Sequence, residues 1–182
     1  MTTRRSITIV TWAIILVGVI PCMAEKTPVP EDVPALKDVF ENDFLIGGAL
    51  NRRVVDGWHR EAAALAENHF NTATSENDMK WQSLHPRLDR YNWGTADRFV
   101  AFFEKNRMAA IGHCLIWHSQ VPRSVFRDDA GNDLTRDALL NRMKDHILTV
   151  VGRYKGRVMG WDVVNEALNG DGTLRDSHWL RI

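Results

Sequence analysis

The sequence predicts an α/β fold with a parallel sheet, and three observations lead there. Apolar runs of strand length alternate with segments whose apolar residues recur at helical spacing. The runs are nearly continuous, as in strands covered on both faces. The polar residues able to do chemistry fall at the carboxyl ends of those runs, where a parallel β/α sheet gathers its active site.

Taken in order, Arg4 and Arg5 precede an apolar stretch from Ile7 to Ile20 and a small-residue exit at Cys22-Met23-Ala24. Residues 1–24 therefore read as a signal peptide, which predicts a secreted chain, extracellular or periplasmic. The apolar stretch falls short of the roughly 20 residues of a membrane span, so no stable membrane insertion is expected after cleavage. Residues 25–39, with Pro28, Pro30 and Pro34 among charges, read as a linker or lead-in, and the domain proper as residues 40–182.

Phe44 to Leu50 is the first strand. Asp56 then suits the cap of a helix with Trp58, Ala62, Leu65, Ala66 and His69 on its apolar face. A second strand runs from about Phe70 to Ser75, and a second helix aligns Ala96, Phe99, Val100 and Phe103. Met108 to Trp117 gives the third strand. Thr135 suits the cap of a third helix carrying Leu139, Met143, Ile147, Val150 and Tyr154, with Gly156 ending it. Val158 to Val164 supplies the fourth strand, and another helix begins near Ile182.

Asn51 follows the first strand, Glu76 and Asn77 the second, Trp117, His118 and Gln120 the third, and Asn165 and Glu166 the fourth. A doubly wound open sheet would also bind ligands at strand ends. The first strand, however, lacks a Gly-x-Gly-x-x-Gly turn, and no phosphate loop is present. The preferred architecture is a (β/α)8 TIM barrel, of which the chain carries about the first four β/α units.

Composition narrows the partners. The chain holds 23 basic and 23 acidic residues, and loss of residues 1–24 removes Arg4 and Arg5 but no acid. A near-neutral chain with no basic stripe argues against nucleic acid and suits an uncharged polymer. Cys114 alone remains after processing, so no internal disulfide is expected and no cysteine metal site is suggested.

Cleaving a glycosidic bond takes a proton for the leaving oxygen and a carboxylate to meet charge at the anomeric carbon. Glu166 suits the first role. It follows the apolar strand Trp161-Asp162-Val163-Val164 and Asn165, where partial desolvation would help it keep its proton. Asn165, Glu76, Asn77, Lys80, His113 and Gln120 offer polar groups on the same face, and Trp81 and Trp117 offer flat surfaces for pyranose stacking or for the core. A metal-dependent hydrolase using His113, His118 and a carboxylate is the rival reading. Five residues apart on a strand, those two imidazoles are expected on opposite faces.

Three long motifs carry a family resemblance. Phe70-Asn71-Thr72-Ala73-Thr74-Ser75-Glu76-Asn77-Asp78-Met79-Lys80-Trp81 resembles the segment after the second barrel strand of family 10 endo-1,4-β-xylanases. Gly112-His113-Cys114-Leu115-Ile116-Trp117-His118-Ser119-Gln120-Val121-Pro122 resembles the family's third-strand motif. Trp161-Asp162-Val163-Val164-Asn165-Glu166-Ala167, continuing through Asp171 to Ser177, is similar to its acid/base motif.

The resemblance implies a retaining enzyme that cuts internal β-1,4 bonds of xylan without metal or cofactor. It makes Glu166 the acid/base and puts Asn165 beside the reacting carbon. Glu76, Asn77, Lys80, His113 and Gln120 would line the nonreducing-side subsites, with Trp117 at the subsite floor. Ser124 departs from the family, which usually has tryptophan there.

A full barrel takes about 250 residues, and no residue here matches the family's nucleophile. The chain is therefore read as the N-terminal half of such a domain, with the nucleophilic Glu expected beyond residue 182. A fragment that binds xylo-oligosaccharides without cleaving them is the alternative. Open barrel edges would favour self-association.

Overall fold

The computed structural model describes residues 33–182, and a compact unit spans Pro34–Ile182. The signal peptide expected over residues 1–24, and residues 25–32 of the lead-in, lie outside the described residues. The end of that lead-in is part of the folded unit. Leu36–Val39 forms a short helix, α1, tied to a later helix, α3 (Arg60–His69). The Leu36 N–H donates to His69 Nδ1 at 3.2 Å, and Lys37 Nζ donates to the Glu67 carbonyl at 2.7 Å.

Four parallel strands, β1 (Gly47–Leu50), β2 (Thr72–Ser75), β3 (Ala109–Trp117) and β4 (Gly160–Asn165), form one sheet in the order β1-β2-β3-β4. A doubly wound sheet reverses its strand order at a switch point. This order never reverses, as in a barrel wall. β1 begins later than its apolar run because the main chain before it is held by a side chain. Ile46 N–H donates to Asn71 Oδ1 at 2.7 Å, and the Ile46 carbonyl accepts from Asn71 and Thr72. Gly47 is required where β1 meets β2, since a Cβ there would collide with the Thr72 carbonyl.

Asn51, the residue after β1, caps a short helix, α2 (Arg52–Val55), its Oδ1 accepting from the N–H groups of Arg53 and Val54 at 3.1 and 3.4 Å. The cap expected of Asp56 is not made. That carboxylate accepts from Arg98 Nε at 3.0 Å instead, and α3 starts only at Arg60. Trp58 thus lies before the helix and is exposed, and Leu65 is exposed too, while Ala66 is buried.

The remaining helices are α4 (Trp81–Leu84), α5 (Trp93–Lys105), α6 (Arg136–Arg153) and α7 (His178–Arg181). In α5 the residues at helical spacing, Ala96, Phe99, Val100 and Phe103, are all buried. In α6 Thr135 Oγ1 accepts from Ala138 N–H at 3.3 Å, and Leu139 and Val150 are buried.

α5 serves both halves of the core. Val100 packs with Leu84, Ile116, Val150 and Tyr154, while Phe99 and Phe103 pack with Leu50, Val54, Ala66 and Ala110. The Tyr154 hydroxyl donates to Asp97 Oδ1 at 3.0 Å, and Arg153 chelates the same carboxylate, which holds Asp97 below the usual carboxylate range. The β4 edge is different. Val163 and Val164 on β4 are more than half exposed, so their apolar surface is not covered by the described residues.

Candidate active site

The polar residues meet where β3 and β4 end. The two strands pair in register up to His113↔Asp162, then β3 carries one extra residue before Ile116↔Val164 and Trp117↔Asn165. Such a bulge re-aims the side chains beyond it. The His113–Cys114 peptide in this stretch is cis.

His113 precedes the bulge and His118 follows the last residue of β3, and their imidazole centroids lie 6.3 and 5.6 Å from the indole of Trp117. Each faces a carboxylate: His113 Nδ1 lies 2.8 Å from Asp162 Oδ2, and His118 Nε2 lies 3.8 Å from Glu166 Oε2. Among the described residues no group of three or more His, Cys, Asp and Glu is placed to hold a metal ion.

Glu166 comes one residue after β4 with φ 51°, in the left-handed region that non-glycine residues seldom occupy. Its Oε2 accepts from Trp117 Nε1 at 3.1 Å. The indole of Trp117 also carries a cation, Lys80 Nζ, 4.7 Å from the ring centroid, and Lys80 donates to Asn77 Oδ1 at 2.9 Å. A charged ammonium over an indole face is attracted by the ring's quadrupole. Asn77, Lys80, Trp117 and Glu166 thus form one chain of contacts.

Asn165, Glu166, Trp117 and His118 line a hollow of about 180 Å³ with Arg175 and Trp179. Glu76 and His113 line a second cleft, of about 490 Å³, along β1 and β2. Gln120, also left-handed at φ 47°, is tied in through its main chain, its carbonyl accepting from Gln82 N–H at 2.9 Å.

The Glu166 side chain is half exposed among the described residues. The buried group beside it is Cys114, whose thiol is pushed up to about 11 by burial, with Lys80 opposing and Asp162 and Glu166 adding to the rise. A thiol so held is protonated at neutral pH and is packing, not a nucleophile. Trp81, left open between sugar contact and core, is buried and stacks on His146 at a centroid distance of 3.6 Å.

Two residues at the site, Arg175 and Trp179, carry no periodic signal, because Arg175 lies in the irregular segment after β4 and Trp179 in α7, a single turn too short to show a period. Arg175 Nε donates to the Glu166 carbonyl at 2.9 Å, and Trp179 Nε1 donates to the Trp117 carbonyl at 2.8 Å.

Consecutive β/α units in unbroken strand order, with a carboxylic acid and its polar neighbours at the strand ends, define part of a (β/α)8-barrel enzyme. The chain belongs to glycosyl hydrolase family 10, whose family model matches residues 35–182. It is 42% identical over 154 residues to endo-1,4-beta-xylanase A of Xylanibacter ruminicola, covering 85% of this chain and 42% of that protein. It is 44% identical to the beta-1,4-xylanase of Dictyoglomus thermophilum, covering 83% and 41%. Among solved structures, a GH10 endoxylanase from a sugarcane soil metagenome superposes with a TM-score of 0.77 at 45% identity, covering 81% of this chain and 43% of that one. The chain spans less than half the length of these relatives.

Proposed function

We propose that this chain supplies the acid/base half of an endo-1,4-β-xylanase site, in which Glu166 protonates the leaving oxygen and then activates water. The observation that carries this reading is the Trp117–Glu166 hydrogen bond at the carboxyl end of β4, on a residue held at φ 51°. Asn165 would bind the hydroxyl next to the reacting carbon. Lys80, Asn77, Glu76, His113 and Gln120 would bind the sugars on the nonreducing side, over Trp117. Xylan is the substrate because the relatives are named for it.

A retaining mechanism needs a second carboxylate about 5–5.5 Å away. Asp162 does not fit: it lies four residues earlier on β4, ~13 Å at the usual strand rise, and it is engaged by His113. The nucleophile is therefore assigned to a part of the barrel outside residues 33–182. That same observation favours a second reading of residues 33–182 taken alone, as a module that binds xylo-oligosaccharides without cleaving them. The Arg4-Arg5 pair, the apolar stretch and the Ala24 exit support export from the cytoplasm, and no helix among the described residues is long and apolar enough to cross a membrane. Self-association through the β1 and β4 edges is supported by the exposure of Val163 and Val164.

Calorimetric titration of the 182-residue chain with xylotetraose and cellotetraose, beside a reducing-sugar assay on xylan, tests this. Saturable heat with xylotetraose and negligible hydrolysis are expected. Absence of any saturable binding would overturn the sugar-binding assignment. Robust hydrolysis abolished by Glu166→Gln would overturn the external nucleophile.

A further inference from the structure

The segment after β4 grips the main chain of both residues whose side chains meet at the acid. Arg175 Nε donates to the Glu166 carbonyl at 2.9 Å and its Nη2 to the Leu168 carbonyl at 3.3 Å, while its own N–H donates to the Ala167 carbonyl at 2.8 Å. The guanidinium is thus spent on carbonyls, although acids are close in sequence. Asp171 accepts from Thr173 instead, and Asp176 pairs with Arg181 at 2.6 Å. Four residues on, Trp179 Nε1 donates to the Trp117 carbonyl at 2.8 Å. Its ring is seated edge-on against Phe126, with centroids 4.6 Å apart.

Trp179 also packs against the core beside Trp81 and Phe126, whereas the Arg175 contacts serve no core. Leu168, Leu174 and Leu180 of the same segment are exposed. What they do fix is an unusual backbone. A glutamate at φ 51° persists only where its surroundings over-determine it, and the Arg175 hydrogen bonds supply that constraint on its carboxyl side. The Trp179 bond fixes the partner, so the indole N–H and the carboxylate meet at 3.1 Å.

We infer that Arg175 and Trp179 are positioning residues that hold Trp117 and Glu166 in register across the end of the β3–β4 pair. The inference rests on Glu166 as the acid/base, and it extends that reading to two residues that never touch substrate in this scheme. Two other basic side chains lie near Glu166: His118, 3.8 Å away, and Lys80 beyond the Trp117 ring. Neither bonds the main chain of Glu166.

The test uses the indole N–H resonance of Trp117 in the 15N-labelled 182-residue chain, assigned with Trp117→Phe. In the wild type this resonance should move as pH falls through the range where carboxylates take up protons, and Glu166→Gln should abolish that part of the movement, leaving any contributed by the neighbouring His113 and His118 rings. Arg175→Ala and Trp179→Phe should each reduce its amplitude to about half or less, because a hydrogen bond weakens steeply with misalignment. The Trp93 and Trp161 indoles should stay in place, and Arg175→Lys should restore part of the amplitude. Full amplitude in both Arg175→Ala and Trp179→Phe would overturn the inference, as would displacement of the Trp93 and Trp161 indoles to the same degree. The resonance reports geometry, not turnover, so failure of the xylanase reading would show separately, as loss of xylotetraose binding.

Discussion

Replacing His146 by phenylalanine should remove about 2 kcal/mol of the stability this fold loses between about pH 7 and 5. His146 is 1% exposed in α6, stacked on Trp81, and its Nδ1 lies 3.2 Å from His85 Nδ1. His85 Nε2 lies 3.1 Å from the Leu88 carbonyl, which can only accept. His85 therefore carries its proton on Nε2, its Nδ1 accepts, and His146 Nδ1–H donates. His146 Nε2 is left buried without a partner, and a proton placed there would be a charge with no acceptor.

Burial, with the nearby His85 adding, brings His146 down to about 3 from an ordinary 6.5. His85 is lowered as well, by burial first and then by Arg142, with the Leu88 carbonyl and Asp89 opposing. A depressed folded-state value means that only the unfolded chain binds this proton between pH 6.5 and about 3. The contribution is present in full above pH 6.5 and is lost as pH falls. At 1.36 kcal/mol per unit, His146 accounts for about 2 kcal/mol of stability lost between about pH 7 and 5.

Urea unfolding followed by tryptophan fluorescence at both pH values measures it. His146→Phe keeps an aromatic ring against Trp81 and should flatten the difference by about 2 kcal/mol. An unchanged difference between the two pH values would refute the buried-neutral assignment.

Three further outcomes follow from packing and from the site. Gly112→Ala should cost roughly 1–3 kcal/mol or more in urea unfolding, because a Cβ there would enter the Trp161 ring; a smaller loss would mean that β3 and β4 separate easily. Tyr154→Phe should cost about 1 kcal/mol in the same assay, since Asp97 keeps its two bonds to Arg153 when the hydroxyl is lost. Lys80→Ala should weaken xylotetraose binding in calorimetry about tenfold, the worth of one charged hydrogen bond; equal affinity would remove Lys80 from the sugar site.

The helices α5 and α6 were legible because their burial follows one period along a single element. Ala96, Phe99, Val100 and Phe103 face inward together, and Thr135 caps where its sequence position says. β3 was legible for its apolar length. The misses are places where a side chain far along the chain decides a local outcome. Asn71 holds Ile46 and shortens β1, and Arg98 takes the Asp56 carboxylate. Asn51, at its strand end, caps α2. His146 sits on the predicted face of α6, between Met143 and Val150, yet as a polar residue it gave no apolar signal.

The site divides along the same line. That Glu166 ends a strand is local information, and so are its neighbours Asn165 and Trp161. What Glu166 touches is not local. The pairs His113–Asp162 and Trp117–Glu166 each span 49 residues, and the backbone register between them changes at the bulge, from His113↔Asp162 to Trp117↔Asn165. His113 and Trp117 nevertheless serve acids four residues apart, Asp162 on β4 and Glu166 just past its end, although the backbone opposite Trp117 is Asn165, and alternation along a single strand carries no sign of that change in register.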